Sequence, residues 1–462
     1  MPSAAVSRVR LAEKPMWERS RKRSGFPKLL TRYAGPLRWR ESVLLLRTAL
    51  WGHMRRWALA GGASLVLAVV VLSMALGIAT KAPCFASWHD GLQPRYCYSD
   101  VVALFGERRL GMHIFPYVHG RYVVSGTGNA FLSPGEIEYP VLTGLFVWLA
   151  ALPVHSAEGF LVTNALMLAP FGVVSAWLLW RMVGRRALLF AAAPAVAFYA
   201  FLNWDLLGVA CAVGGIYLWS RRRPYAAAIA FAVGGCFKVW PAFFLLPLLL
   251  EVMARGDRRV AWRVGGAGAG VAVAVNLPFM ASNWRGWYAP FAFQADWAGG
   301  RWTNSLWYWE ARSLSTHAVD LLSSVAVAAG FVVIGWLGWR RARRGLAFPF
   351  LQSGAAMVCW YLIAGKVYSP QYDLWLVPLF ALLGVRGRLW AQFVVVDAAI
   401  YAWWLIGITG LSGVIYAIVL WRAAVVLAAM VGMWRAKAAV GAASWAVQWD
   451  QVKTGRLEPV RA

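Results

Sequence analysis

The chain is short of charge, and shortest of acids. Of its 462 residues 14% are charged, and Lys plus Arg outnumber Asp plus Glu 46 to 19. Hydrophobic residues make up 60% and the mean hydropathy is +0.56. That composition excludes an ordinary soluble domain and fits a polytopic membrane protein. The six His are scattered singly, which argues against a metal–histidine or redox centre. There is no His-Glu-x-x-His zinc motif, no Gly-x-Ser-x-Gly nucleophile elbow and no Gly-rich phosphate cradle. A soluble nucleotide donor bound in the cytoplasm therefore has no visible site. Cysteine is sparse as well, at five residues. Cys211, Cys236 and Cys359 fall in apolar runs and read as inert. Cys84 and Cys97 share one loop without metal-ligand spacing; a disulfide and two free thiols both stand. No internal repeat is evident, so an inverted-repeat transporter gains no support.

What the chain does have is arginine at intervals. Clusters lie at Arg181–Arg185–Arg186, Arg221–Arg222–Arg223, Arg255–Arg258–Arg259–Arg263, Arg340–Arg341–Arg343–Arg344 and Arg386–Arg388. The net charge of +27 is thus explained by positive-inside topology and a basic tail, without nucleic acid as a partner. The arm 1–56 carries 14 Lys/Arg against three acids. It is expected to be cytoplasmic, partly disordered and drawn to lipid headgroups, and is too long and polar for a signal peptide.

With every cluster facing the cytoplasm, the apolar runs alternate. They are 57–78, 159–180, 187–202, 206–220, 225–239, 241–253, 264–281, 317–339, 346–364, 372–385, 389–406 and 411–433. The run 139–154 would be about 24 Å long as a helix, short of the ~30 Å hydrocarbon core, and is expected to be partial or re-entrant. The predicted fold is an all-α polytopic membrane protein of about twelve transmembrane helices plus that partial one. A transmembrane domain of 57–433 carries two extracytoplasmic loops, about 80–138 and 282–316. Both termini, including the tail 434–462, are cytoplasmic. An interfacial helix is expected over 100–110.

The ionisable residues left over gather at the outer tips. Asp100, after Tyr98-Ser99, is a candidate general base beside an apolar face, or one of a capping pair with Ser99. Glu136 and Glu138, two apart in an extended stretch, would point the same way, towards a cation or sugar hydroxyls, or into solvent. Asn203-Trp204-Asp205 places an acid at membrane depth, where a function is the default. Lys238 stands alone in an apolar run and suits a phosphate, or snorkels. Lys366 with Gln371, Tyr372 and Trp375 forms a denser tip of the same kind. The aromatic stretch from Asn283 to Arg312, with Asp296, Arg301 and Asn304, fits an interfacial belt and a carbohydrate platform equally.

Tyr98-Ser99-Asp100, Glu138-Tyr139-Pro140, Asn203-Trp204-Asp205, Lys238-Val239-Trp240-Pro241 and Lys366-Val367-Tyr368-Ser369-Pro370-Gln371-Tyr372 together resemble the GT-C glycosyltransferases. Within them they are similar to the actinobacterial polyprenol-phosphate-mannose-dependent α-mannosyltransferases of glycosyltransferase family 87. The resemblance covers about 57–433 and implies a plasma-membrane enzyme with an extracytoplasmic site. It implies inverting transfer of one sugar, mannose in the family, from a polyprenyl phosphate to a lipid or glycan acceptor. Asp100 matches the family's first-loop aspartate, the proposed base. Lys238, Lys366, Arg108 and Arg109 are the candidates for the donor phosphate. Glu138, Tyr139, Asn203, Asp205, Gln371, Tyr372 and Trp375 are those for sugar and acceptor. Many GT-C enzymes use a divalent cation held by paired acids. Here the first loop offers a single Asp, so no metal ligand or cofactor is assigned. A lipid-linked sugar flippase and a non-catalytic envelope scaffold are the rival functions. The scaffold is distinguished by whether Asp100, Lys238 and Lys366 converge.

Overall fold

The computed structural model describes residues 61–84, 97, 99–124, 130–296, 304–311, 313–406 and 412–436. Expectations for the arm 1–56, for Tyr98, for Trp297, Arg301 and Trp302, and for 437–462 lie outside those residues. The chain is an all-α membrane protein. Among the described residues five helices are long and apolar enough to cross a bilayer: Gly61–Ala79, Ala157–Ala191, Arg258–Ala295, Thr316–Arg343 and Gly413–Arg435.

In chain order the helices that matter begin with α1 (Gly61–Ala79). A loop follows, holding α2 (Asp100–Glu107) and an antiparallel hairpin, β1 (Tyr122–Val124) with β2 (Ala130–Leu132). Then come α3 (Val141–Ala151) and α4 (Ala157–Val183). The expected span 187–202 is broken into α5 (Leu188–Ala191) and α6 (Pro194–Tyr199). Pro194 explains the break: Ala193 before it is extended, at ψ 130°, as the residue preceding proline must be. The hairpin of α7 (Asp205–Ser220) and α8 (Pro224–Phe237) is followed by a 3-10 turn and α9 (Leu245–Ala254). α3 has 11 residues, the short helix expected there.

α10 (Arg258–Asp296) departs from the sequence-based expectation of a loop after residue 281. The chain breaks at Asn283, with φ −153° and ψ 91°, and then resumes as helix to Asp296. Asn283 caps the restart, its Oδ1 accepting from Gly286 N at 3.1 Å. Its Nδ2 donates to Val118 O (2.9 Å) and Gly120 O (3.0 Å), which fastens the 284–296 helix to the first loop. Only a glycine fits at 286, because a Cβ there would overlap the Tyr117 carbonyl. α11 (Leu306–Glu310), α12 (Thr316–Arg343), α13 (Phe350–Ala364), α14 (Asp373–Leu383), α15 (Gly387–Ile406) and α16 (Ser412–Arg435) complete the bundle.

The first loop is well anchored. Cys84 and Cys97 are joined as a disulfide. Glu136 is fully buried and accepts from Tyr117 N at 2.8 Å and from the Gly120 amide. Glu138 instead turns to Arg108, 2.9 Å away. The two carboxylates therefore do not share one side, since Glu136 is consumed in holding backbone. Burial pushes the Glu136 carboxyl up to about 7, against the two amides that favour its ionised form.

Candidate active site

The bundle separates its polar residues by end. α7 starts at Asp205 and runs about 24 Å to Arg221–Arg223; α8 starts after those arginines and returns to Lys238. The tip residues of the sequence therefore meet at one end, and the arginine turns lie at the other.

Asp100 is the first residue of α2, where the helix dipole favours a carboxylate. Capping is done by its neighbour: Ser99 Oγ accepts from Val102 N at 3.4 Å. Asp100 Oδ2 instead accepts from Asn203 Nδ2 at 2.6 Å and from Gln371 Nε2 at 3.4 Å. Asn203 sits in the break between α6 and α7 and links most of the cluster. Its Nδ2 also donates to Tyr139 Oη at 2.7 Å, and its Oδ1 accepts from Lys238 Nζ at 2.8 Å.

Lys238 caps the C-terminus of α8 in extended conformation, at φ −142° and ψ 133°, where a cation meets the negative helix end. Its Nζ lies 3.6 Å from Asp205 Oδ1 and 4.2 Å from the Tyr139 ring centroid. Asp205, fully buried, also accepts from Trp375 Nε1 at 2.7 Å. Trp375 stacks on Tyr372 at 4.1 Å and on Trp240 at 5.3 Å, a largely buried column of three rings.

Beside this cluster lies a cavity of about 580 Å³. Glu138, Tyr139, Lys238, Lys366, Tyr372 and Trp375 line its polar part, with Trp240 between them. Val327, Ala328 and Phe331 of α12 line an apolar flank. Lys366 Nζ pairs with Asp320 Oδ1 at 2.7 Å and donates to Ala295 O at 2.8 Å, so it ties α12 to the end of α10. Lys238 and Lys366 thus share the cavity. Asp100 is not in its wall and joins the site through Asn203 and Gln371. Arg108 reaches the cavity only through Glu138. Arg109 is not brought in: it follows the end of α2 in a left-handed conformation, φ 51°, and is exposed.

No family model matches the chain, and no curated protein does. Among solved structures it is similar to the Archaeoglobus fulgidus oligosaccharyltransferase in its apo form. The identity is 13%, over 86% of this chain and 58% of the other, with a TM-score of 0.38. A second similar structure is the archaeal oligosaccharyltransferase AglB of the same organism, in complex with an inhibitory peptide and a dolichol-phosphate. There the values are 12%, 81%, 56% and 0.38. The chain spans less than two thirds of either structure. A likeness at this score carries no functional weight here, and the chemistry rests on the residues.

Several of those residues were not legible in the sequence. Asp320 looked like part of an apolar helix, and Trp240 was legible as part of the Lys238–Pro241 tip but not as a stacking partner of Trp375. Lys81 looked like a loop residue, yet it is fully buried and donates to Phe198 O at 3.1 Å and Tyr401 Oη at 3.2 Å. Burial drives its amine down to about 7, with the charge of Asp100 acting in the opposite direction. Arg422, buried on α16, donates to Tyr368 O at 3.0 Å and Asn304 O at 2.7 Å, and lies 3.9 Å from Asp373 Oδ2. Tyr368 Oη donates to Asp373 Oδ1. This network fixes the Ser369–Tyr372 turn that delivers Gln371 to Asp100. Among the described residues no group of three His, Cys, Asp or Glu is gathered as metal ligands.

Proposed function

We propose that this chain is a GT-C-type inverting glycosyltransferase. It moves a sugar, mannose by the resemblance above, from a polyprenyl phosphate to a lipid or glycan acceptor at the extracytoplasmic membrane face. The observation that carries the proposal is the pairing of the Asp100–Asn203–Lys238 chain with the adjoining cavity. The cavity's volume is within the range of small-ligand sites, ~300–1,000 Å³. Its two lysines suit a phosphate, its stacked Tyr372–Trp375–Trp240 face suits a sugar, and the α12 flank suits an isoprenoid chain.

In this mechanism Asp100 Oδ takes the proton of the acceptor hydroxyl. The freed oxygen pair attacks the anomeric carbon from the face opposite the phosphate. The bond from that carbon to the phosphate oxygen breaks, and the polyprenyl phosphate leaves with the electron pair. Lys238 and Lys366 stabilise the charge that develops on it. Lys366 reaches the phosphate by exchanging Asp320 for the donor. Asn203 holds base and cation in register, accepting from Lys238 while donating to Asp100. A β-linked donor gives an α-glycoside.

A flippase would need a polar path along the bundle. Between Asp205 and Arg221, α7 carries no charged residue, which favours the transferase. Membranes containing the wild-type chain should move label from polyprenyl-phosphate-mannose into membrane lipid or glycan. Lys238→Met should suppress that transfer per molecule of folded protein, and unchanged transfer per molecule would contradict the assigned role.

A further inference from the structure

The helix 284–296 serves two separate hollows. Its later turns line the cavity through Pro290, Phe291 and Gln294. Its first turns border a second, open depression of about 500 Å³, walled by Trp284, Arg285 and Tyr288 on one side and by Arg121 and Tyr122, at the start of the hairpin, on the other. The two hollows share no lining residue. The second holds two guanidinium groups, from distant parts of the chain, and no carboxylate. Its walls are held to one another: Asn283 Nδ2 bonds the backbone at Val118 and Gly120 just before β1, and Gly286 lies against the Tyr117 carbonyl.

Its surroundings indicate what enters it. Below the break at Asn283, Val273, Leu277 and Met280 are exposed at helical spacing, at 55%, 53% and 39%. They belong to the widely exposed surface of a membrane-spanning helix, and beyond its break at Asn283 come Trp284 (60% exposed) and Tyr288 (47%). Trp and Tyr at such a boundary mark the headgroup level. An apolar surface ending in two aromatic rings and two arginines is complementary to one molecule: acyl chains below, a negatively charged phosphate above.

We propose that this groove binds the headgroup of an anionic membrane lipid, with an acyl chain along Val273, Leu277 and Met280. The lipid is separate from whatever fills the cavity, but it bears on the helix that forms the cavity wall. The inference does not depend on the transferase function, and its test reads binding alone.

The full chain would be purified in detergent and offered equal amounts of phosphatidylglycerol and phosphatidylcholine. Retained lipid would be read by native mass spectrometry, with and without millimolar inorganic phosphate. The expected result is one phosphatidylglycerol held in preference, undisturbed by phosphate. Arg121→Gln with Arg285→Gln should weaken it by about 30-fold, the effect of two interfacial cations. Arg340→Gln with Arg341→Gln, at the arginine-rich end of α12 away from the groove, should leave it in place. If the double glutamine variant is poorly folded, Arg121→Lys with Arg285→Lys and the single Arg285→Gln decide. The lysine pair should keep the preference, and the single variant should lose about half of it on a logarithmic scale. Equal retention of the two lipids would overturn the proposal and leave only an aromatic belt. Displacement by phosphate would point to a soluble anion instead. Unchanged retention in Arg121→Gln/Arg285→Gln would move the lipid elsewhere.

Discussion

Replacing Lys238 by Met gives an apolar side chain one atom shorter, and removes the charge together with the hydrogen bond from Nζ to Asn203 Oδ1. In the structure that charge faces Asp205 at 3.6 Å, with both side chains almost wholly buried. At an effective dielectric of 20 their attraction is about 4–5 kcal/mol. Breaking a buried pair from one side is expected to lose about 3–5 kcal/mol, since the partner is left charged and dry. Asp205 would keep a single neutral hydrogen bond, from Trp375 Nε1 at 2.7 Å. Asp205→Asn added to Lys238→Met removes the stranded charge, and an amide oxygen still accepts from Trp375. The double variant should therefore recover most of the lost stability. Thermal unfolding in detergent, at one scan rate for all variants, would read the order wild type, double, single. A single variant as stable as the double would refute the ion pair as the source of the effect. Transfer assays on the same proteins separate fold from chemistry. The double variant should still be about 10²-fold slower than wild type, because the cation facing the leaving phosphate is absent in both.

Other expectations follow from single contacts. The Glu136 carboxyl is raised from 4.5 to about 7 in the folded chain, so the native state holds the extra proton between those values. Stability contributed by the protonated group is full below about pH 4.5 and declines as pH rises towards 7, by up to about 3 kcal/mol. Glu136→Gln should flatten that slope, and a variant with the wild-type pH dependence of unfolding would contradict it. Gly286→Ala should destabilise by about 1–3 kcal/mol through overpacking against the Tyr117 carbonyl, seen as a lower unfolding temperature. An unchanged temperature would show that the contact relaxes freely.

Much of the architecture could be read from the chain because its signals are local. Arginine clusters at turns and apolar runs between them marked out most of the helices, with 187–202 broken at Pro194, and the short run 139–154 holds α3. Asp100 and the Lys366–Tyr372 stretch were legible as motifs. Pairings were not, because they join residues far apart: Asp100 with Asn203, Lys238 with Asp205, Lys366 with Asp320, Arg422 with Tyr368. Glu136 and Glu138 misled for a related reason. Their alternation was visible, but one carboxylate being taken up by the Tyr117 and Gly120 amides was not. The helix beyond Asn283 was hidden because its Trp, Arg and Tyr content resembles an interfacial loop. Its two fastenings, at Val118 and Gly120, come from another part of the sequence.

The most direct test of the central claim is transfer of label from polyprenyl-phosphate-mannose, compared between wild type and Asp100→Asn in membranes with equal protein. Asn at position 100 can still meet Asn203 and Gln371 but cannot take a proton. The account predicts a labelled lipid or glycan product with wild type, and a rate lower by about 10²–10⁴-fold with the variant. A product formed equally well by Asp100→Asn would contradict Asp100 as the base and the mechanism built on it.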